Sequence, residues 1–95
     1  YCDEEKLKHL SKLQDELRFV FITSRATLHA EAKRPASAEK TTIPGLWIAV
    51  SPSIHAKCER CWHRREDVNQ NPQYPGICNR CIENVGGPGE TRKFA

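Results

Sequence analysis

The chain has 95 residues, of which 38% are apolar, and its mean hydropathy is −0.68. A chain of this size buries roughly 60–65% of its unfolded surface, so it is only marginally stable unless a metal or cross-links contribute. No run of about 18 apolar residues is present, which excludes a membrane-spanning helix, and the acidic start (YCDEE) does not resemble a secretory signal peptide. The net charge of +3 is too small to indicate a partner. Because the sequence contains no methionine, we expect a segment of a longer polypeptide.

Residues 3–18 are predicted to form an amphipathic helix. Four leucines fall on one face of this helix, namely Leu7, Leu10, Leu13 and Leu17. Asp3 is a suitable N-cap, and the acidic residues that follow it suit the positive end of the helix dipole. We expect the leucines to pack and Glu16 and Arg18 to be ordinary solvated charges.

Two segments favour β-strands. Residues 19–23 (FVFIT) are aromatic and β-branched and predict a strand that continues towards Leu28, although the leucine pattern leaves a helix as far as Phe21 open. Residues 46–50 (LWIAV) lie between turn-forming prolines and predict a second strand. The polar residues 30–42 form a loop, across which the two strands can pair antiparallel.

Four of the five cysteines form two Cys-x-x-Cys turns separated by sixteen residues, which is within the spacing of four-cysteine zinc sites. Two residues between ligands let one tight turn aim both sulfurs at a point about 2.3 Å away, and two such turns complete a tetrahedron. Thiolates select Zn²⁺ over Mg²⁺ or Ca²⁺, and four of them leave no position for a catalytic water. We therefore predict one structural Zn²⁺ held by Cys58, Cys61, Cys78 and Cys81.

Other uses of the cysteines fit the pattern less well. Two disulfides would leave Cys2 unpaired, and nothing in the sequence indicates secretion. A redox dithiol needs only one Cys-x-x-Cys, and iron–sulfur clusters commonly have other spacings. His63 could replace one thiolate, but with four cysteines present we expect it on the surface or beside the site. No partner pattern assigns a role to Cys2, His9, His29 or His55.

The predicted fold class is a small α+β zinc-binding domain with an N-terminal amphipathic helix, short antiparallel strands and a four-cysteine knuckle or ribbon. A helix, a strand and a polar loop occupy 1–45, and a strand, the zinc module and a tail occupy 46–95. Four thiolates and one Zn²⁺ change the charge by −4 + 2 = −2, which leaves about +1.

Basic and aromatic residues surround the two cysteine turns and the end of the chain. Arginine binds phosphate and stacks on bases, and tryptophan offers a stacking face worth about 1–3 kcal/mol per base. These residues predict a nucleic-acid surface of Arg60, Trp62, Arg64, Arg65, Arg80, Arg92 and Lys93. The alternative is that the tryptophan packs on the metal core and the arginines pair with Glu59, Glu66, Asp67 or Glu83.

Several motifs resemble the C-terminal end of bacterial-type isoleucyl-tRNA synthetase. They are KCERCWH at 57–63, DV at 67–68, ICNRC at 77–81, GETRKFA at 89–95 and, upstream, DELRFV at 15–20 and ITS at 22–24. The paired Cys-x-x-Cys turns are generic. The Cys-Trp-His sequence followed by a chain that ends in Arg-Lys-Phe-Ala makes the resemblance specific.

This resemblance implies a cytoplasmic class I aminoacyl-tRNA synthetase that joins isoleucine to its tRNA in a reaction driven by ATP. In that family the C-terminal zinc domain helps to hold tRNA towards its anticodon end. The implied zinc ligands are the four cysteines of the two turns, and the implied RNA surface includes Trp62 and Arg80, with Arg92 and Lys93 in the matching tail. The family's catalytic signatures are absent, so ATP would be used outside this segment, by the rest of the synthetase chain.

Two other classes of protein remain open on the sequence. Formamidopyrimidine-type DNA glycosylases end in a similar four-cysteine finger, but they finish shortly after the fourth cysteine, whereas fourteen residues follow Cys81 here. A purely structural or protein-interaction zinc ribbon, with the leucine helix as its docking face, is the second alternative.

Overall fold

The computed structural model describes all residues, 1–95. Its helices are α1 (Glu4–Leu10), α2 (Leu17–Val20) and α3 (Asn79–Gly86), with 3₁₀ segments at Ser11–Glu16 and Glu31–Lys33. Its strands are β1 (Glu39–Lys40) and β2 (Trp47–Ile48), which pair antiparallel. No helix is both long and apolar enough to cross a membrane. The predicted class, a small α+β fold with an N-terminal helix, a short antiparallel sheet and four clustered cysteines, is confirmed.

The first helix begins as predicted and ends earlier. The Asp3 carboxylate accepts a hydrogen bond from the backbone N–H of Lys6 at 2.9 Å, which makes it the N-cap of α1. The chain then tightens into the 3₁₀ segment and bends at Gln14, whose φ of 51° and ψ of −136° suit glycine far better than glutamine. A continuous helix over 3–18 is therefore wrong. The bend places Leu17 in the interior, where it is 2% exposed.

The strand predicted at 19–23 is wrong, and the helical alternative is right. Residue 20 ends α2, and Phe21 is its C-cap. Ile22 then takes a left-handed φ of 55°, and the N–H of Thr23 donates to the carbonyl of Arg18 at 2.9 Å. This six-to-one hydrogen bond is the Schellman arrangement that closes many helices.

The second predicted strand forms, but its partner is different. Trp47 and Ile48 pair with Lys40 and Glu39, which lie inside the predicted loop. The predicted pairing with the 19–28 segment is therefore wrong. Gly45 turns the hairpin with φ of 74°, and the Asp3 side chain occupies the space that a Cβ there would need. The predicted division at 45/46 stays a prediction, and residues on both sides of it form this one hairpin.

Cys2, to which the sequence assigns no role, is fully buried beside this hairpin. It makes a parallel bridge to Ala30 and an antiparallel bridge to Leu46. Its N–H donates to the carbonyl of His29 at 3.0 Å, and its own carbonyl accepts from Glu31 at 2.8 Å. The first residues thus lie between two later segments of the chain.

The main buried cluster is built from the metal-site cysteines themselves. Cys58, Cys78 and Cys81 are buried with Val68, and Cys61 and Ile77 pack against them. Only 8 of 95 residues are buried, and the molecule measures 46 × 27 × 19 Å. A core this small cannot hold the module by apolar burial alone.

Candidate metal centre and adjoining surface

The first cysteine turn is shaped by backbone hydrogen bonds. The N–H of Cys58 donates to the carbonyl of His63 at 2.8 Å, and the N–H of Trp62 donates back to the carbonyl of Cys58 at 2.8 Å. The N–H of Cys61 points to the Cys58 sulfur at 3.5 Å. Trp62 closes the turn with a left-handed φ of 69°. These bonds turn both sulfurs to one side.

The second cysteine turn opens a helix. Cys78 is the N-cap residue of α3, and Cys81 lies in the first turn of that helix. The two turns are joined by a hydrogen bond from the N–H of Glu59 to the carbonyl of Gly76 at 2.9 Å. Gly76 has φ of 80°, and the Glu59 carboxylate fills the space beside its α-carbon.

The four sulfurs converge on one point. All lie within 4.8 Å of one another, with Cys58 and Cys81 separated by 3.7 Å and Cys61 and Cys78 by 3.8 Å. Sulfurs placed tetrahedrally about 2.3 Å from a zinc ion lie roughly 3.8 Å apart. A disulfide would instead need about 2.05 Å. The donor set therefore fits zinc, and the cysteines are not paired.

The protein environment shifts the pKa values of the cysteine thiols in opposite directions. Burial raises the pKa of Cys58, but the backbone N–H groups of Cys61, Cys78 and Arg60 outweigh it and lower the pKa to about 6. Burial raises the pKa of Cys78 to about 12 and also raises that of Cys81. A dication at the centre would favour the thiolate form that metal binding requires.

His63 lies outside the sulfur cluster. Its Nδ1 is 3.2 Å from Nη1 of Arg18, and its ring centroid is 5.7 Å from that of Phe19. Burial lowers the pKa of His63, and the nearby guanidinium groups of Arg18 and Arg80 lower it further. The ring thus joins α2 to the zinc module, and the lowered pKa favours its neutral form.

Two of the residues predicted to contact nucleic acid stand at the first turn. Trp62 is 71% exposed, which rules out packing on the metal core, and Nζ of Lys57 lies 4.5 Å from its ring centroid. Arg60 is also exposed, and its Nη1 lies 3.5 Å from the Cys81 sulfur. Arg64 and Arg65 donate instead to backbone carbonyls, those of His55 and Ser24.

Two of the other three predicted residues, Arg80 and Arg92, meet at Phe19 together with Arg18. The guanidinium carbon of Arg92 lies 3.6 Å from the Phe19 ring centroid, that of Arg18 4.5 Å and that of Arg80 5.2 Å. These residues line a cavity of about 370 Å³ with Lys93, whose backbone N–H donates to the Glu16 carboxylate at 2.6 Å.

Glu90 fixes Arg80 at the edge of this cavity. The two form an ion pair at 2.8 Å, and Asn84 donates to the same carboxylate oxygen at 3.2 Å. Burial raises the pKa of Glu90, but these hydrogen bonds outweigh it and hold the pKa below its ordinary range. The alternative pairing of the arginines with Glu59, Glu66, Asp67 or Glu83 is wrong, since no ion pair includes these acids and Arg80 and Arg92 pair with Glu90.

Sequence reasoning misjudged Arg18 and Glu16 as solvated charges. Arg18 is 6% exposed and bonds to Asp15 at 3.0 Å. The two oxygens of Glu16 accept the N–H groups of Lys93 and Phe94. Apart from Asp15, which lies three positions from Arg18, their partners lie 45 to 78 positions away, so no local pattern marks these contacts.

Comparison with known proteins agrees with this geometry. Residues 57–84 match a family described as a zinc finger found in FPG and IleRS. The whole chain is 55% identical to the isoleucine–tRNA ligase of Pseudoalteromonas atlantica and 50% identical to that of Nitrosococcus oceani. A third ligase, from Thioalkalivibrio sulfidiphilus, is 48% identical over 98 residues. No solved structure matches the chain.

The four converging sulfurs and the matched family define residues 57–84 as a zinc finger of the kind found in FPG and IleRS. The similarity to ligases extends over the entire chain, which covers 10% of the length of each relative. The chain therefore belongs, as a zinc-binding segment, to the isoleucine–tRNA ligase family, whose members are enzymes. The resemblance seen in the sequence is confirmed.

Proposed function

We propose that this chain is the tRNA-contacting zinc domain of an isoleucine–tRNA ligase and is itself non-catalytic. The ligase would attach isoleucine to its tRNA in the cytoplasm, with ATP bound by other parts of the enzyme. Identity of 48–55% to such ligases over the whole chain supports this proposal. The zinc domain would help to hold tRNA towards its anticodon end.

The metal in this proposal is one structural Zn²⁺ held by Cys58, Cys61, Cys78 and Cys81. The sulfur separations of 3.7 and 3.8 Å support a closed tetrahedral site. A site with four thiolates has no open position, so the ion would not activate water or substrate. Its contribution is to the folding of the module.

The single observation that most favours RNA contact is the exposure of Trp62. The Trp62 side chain is 71% exposed, and its backbone has a left-handed φ. This backbone conformation costs conformational energy that burial of the ring does not offset. The Lys57 ammonium covers one face of the ring at 4.5 Å, and a stacked base would use an indole face beside that positive charge. Arg60 and Arg64 are exposed near this ring in the sequence and would meet phosphates.

The test is Trp62→Ala in the full-length ligase, with Phe21→Ala as the matched control at an exposed aromatic outside the zinc module. Loss of one stacking contact of about 1–3 kcal/mol predicts a rise in KM for tRNA of roughly 5- to 150-fold. Isoleucine activation, measured by ATP–pyrophosphate exchange, should not change. A KM for tRNA equal to that of Phe21→Ala would contradict the proposal.

The alternative that the chain belongs to a DNA glycosylase is supported only by the description of the zinc-finger family that matches residues 57–84. The similarity outside residues 57–84 is to isoleucine–tRNA ligases, which favours RNA as the nucleic acid. Binding of the purified chain to an abasic DNA duplex in preference to a tRNA stem-loop would restore the alternative.

A further inference from the structure

A short segment after α3 contacts both the zinc module and the N-terminal helical segment (residues 4–20). This segment consists of residues 90–94, and we call it the strap. It contains none of the four clustered cysteines, and the matched zinc-finger family ends at residue 84. The contacts of the strap therefore need an explanation apart from metal ligation.

The strap is anchored on α3 at Glu90. The N–H of Glu90 donates to Oδ1 of Asn84 at 2.9 Å, and Nδ2 of Asn84 donates back to Oε1 of Glu90 at 3.2 Å. Nη1 of Arg80 donates to the same carboxylate oxygen at 2.8 Å. The chain just before this anchor is fixed as well, since the N–H of Gly89 donates to the carbonyl of Glu83 at 3.0 Å. The helix thus holds both the backbone and the side chain of Glu90.

A second anchor lies on the N-terminal helical segment. The two oxygens of Glu16 accept the N–H groups of Lys93 at 2.6 Å and Phe94 at 2.7 Å. The guanidinium carbon of Arg92 lies 3.6 Å from the ring centroid of Phe19. Hydrogen bonds to a carboxylate and a cation over an aromatic face are both favourable. One residue separates the two anchors, so they act on one short piece of chain.

The charges make each anchor dependent on the other. Arg18 and Arg80 lie against the Phe19 ring, at 4.5 and 5.2 Å, and the strap adds a third guanidinium group. Like charges this close repel one another unless carboxylates offset them. The Glu90 carboxylate lies 2.8 Å from Nη1 of Arg80 and 3.9 Å from Nε of Arg92. The carboxylate of the first anchor therefore offsets the repulsion that the second anchor creates.

We propose that the strap fastens the N-terminal helical segment to α3 only while the metal site is occupied. Cys78 and Cys81 lie at the start of α3, and a helix of eight residues is too short to persist by itself. Loss of the metal would therefore release the first anchor and, through it, the second. The inference rests on the zinc site of the proposed function, and it extends the metal-dependent part of the molecule to a segment without ligands.

Amide hydrogen exchange of Lys93 and Phe94, measured by NMR in the zinc-loaded chain, tests the second anchor. Glu16→Ala should accelerate exchange at both amides roughly 10- to 100-fold, because each loses a hydrogen bond to a charged group. Glu5→Ala is the matched control, since it removes an exposed glutamate of α1 and should change these rates by less than twofold. Equal rates in the two variants would overturn the proposal.

The variant Asn84→Ala tests whether the two anchors are coupled. Asn84 bonds to Glu90 alone, so a purely local role would leave the amides of Lys93 and Phe94 unchanged. Coupling predicts about tenfold faster exchange at both, while alanine keeps the helix intact. The amide of Ile82, which donates within α3, should keep its rate and so report that the helix is folded. Unchanged exchange at the two strap amides would contradict the coupling.

Removal of zinc tests the link to the metal. Under reducing conditions, excess chelator should abolish the protection of Lys93 and Phe94, whereas the Thr41 amide, which donates to the Leu46 carbonyl in the hairpin, should keep its rate. Protection of the strap amides that survives chelation would overturn the proposal.

The two proposals fail in different ways. A chain that binds no zinc at all contradicts the proposed zinc domain as well. A chain that binds one zinc but leaves Lys93 and Phe94 unprotected contradicts only the strap.

Discussion

At the scale of single residues, Arg18 links the N-terminal segment to the zinc module. Its Nε bonds to Asp15 at 3.0 Å, its Nη1 faces Nδ1 of His63 at 3.2 Å, and its guanidinium lies over the Phe19 ring. The side chain is 7% exposed, so these contacts replace water that the charge would otherwise hold. The residue is one of several that connect these two parts of the chain, since Ser24 also accepts hydrogen bonds from Arg64 and Arg65 and the Phe19 ring lies beside His63.

Arg18→Ala should lower the free energy of unfolding by about 2–3 kcal/mol, because hydrogen bonds to charged groups contribute about that much and His63 would lose its partner. Denaturant unfolding of the zinc-loaded chain measures this effect. Arg25→Ala, at an exposed arginine, is the matched control and should change stability by less than about 0.5 kcal/mol. Equal unfolding midpoints for the two variants would show that the Arg18 contacts contribute nothing.

At the scale of elements, the helical region is interrupted and closed by residues in unfavourable backbone conformations. Gln14 bends the chain with φ of 51°, and Ile22 ends α2 with φ of 55°. A β-branched residue is a poor choice for the left-handed region, where glycine has no steric cost. Ile22 is also 89% exposed, so it has no packing to offset the strain.

Ile22→Gly should therefore raise the free energy of unfolding by about 1 kcal/mol, since the left-handed cost is removed at a position without packing. Val20→Gly is the matched control, because it also changes an exposed β-branched residue to glycine but lies inside α2. That control should be destabilising by about 0.5–1 kcal/mol. Thermal unfolding with excess zinc gives both values, and a lower midpoint for Ile22→Gly would contradict the argument.

At the scale of the whole molecule, we expect a long shape with few buried residues to depend on its metal site. The principal core is the cysteine cluster, so removal of zinc leaves four thiols and little apolar surface to hold 57–86. Zinc binding supplies about 10–16 kcal/mol in small domains, which is comparable to the whole stability of most domains. The hairpin and the bridges at Cys2 use other contacts.

Chelation of zinc under reducing conditions should therefore collapse the amide NMR signals of 57–86 and leave those of the β1–β2 hairpin dispersed. Cys78→Ser should give the same pattern without chelator. Cys2→Ser is the control, because Cys2 is buried in the N-terminal bridges and should leave zinc content at one per chain. Dispersed signals from 57–86 in the chelated chain would contradict a metal-dependent module.

Much of the metal site followed from the sequence because its geometry is local. A Cys-x-x-Cys turn fixes two sulfurs within four residues, so the spacing predicted the cluster that the structure contains. The N-cap at Asp3 was equally local, since its partner is three residues away. The helix length was wrong because the bend at Gln14 is not marked by glycine or proline.

The strand predicted at 19–23 failed because tertiary contacts outweighed β-propensity. The helix α2 buries Leu17 and brings the Phe19 ring against three guanidinium groups, one of them that of its neighbour Arg18. In a strand, the side chains of Arg18 and Phe19 would point to opposite faces. A strand does form within 46–50, at Trp47–Ile48, but no pattern in the sequence indicated which residues would pair with it.

The sequence by itself determined the class of this protein: a four-cysteine zinc finger within an isoleucine–tRNA ligase segment, with an N-terminal helix capped by Asp3. Only the tertiary structure decided the burial of Arg18, the docking of the tail on Glu16 and the contact of Arg60 with the Cys81 sulfur. The physical reason is distance along the chain. Ligand spacing and helix caps act within one turn, whereas these charges acquire partners only when remote segments meet.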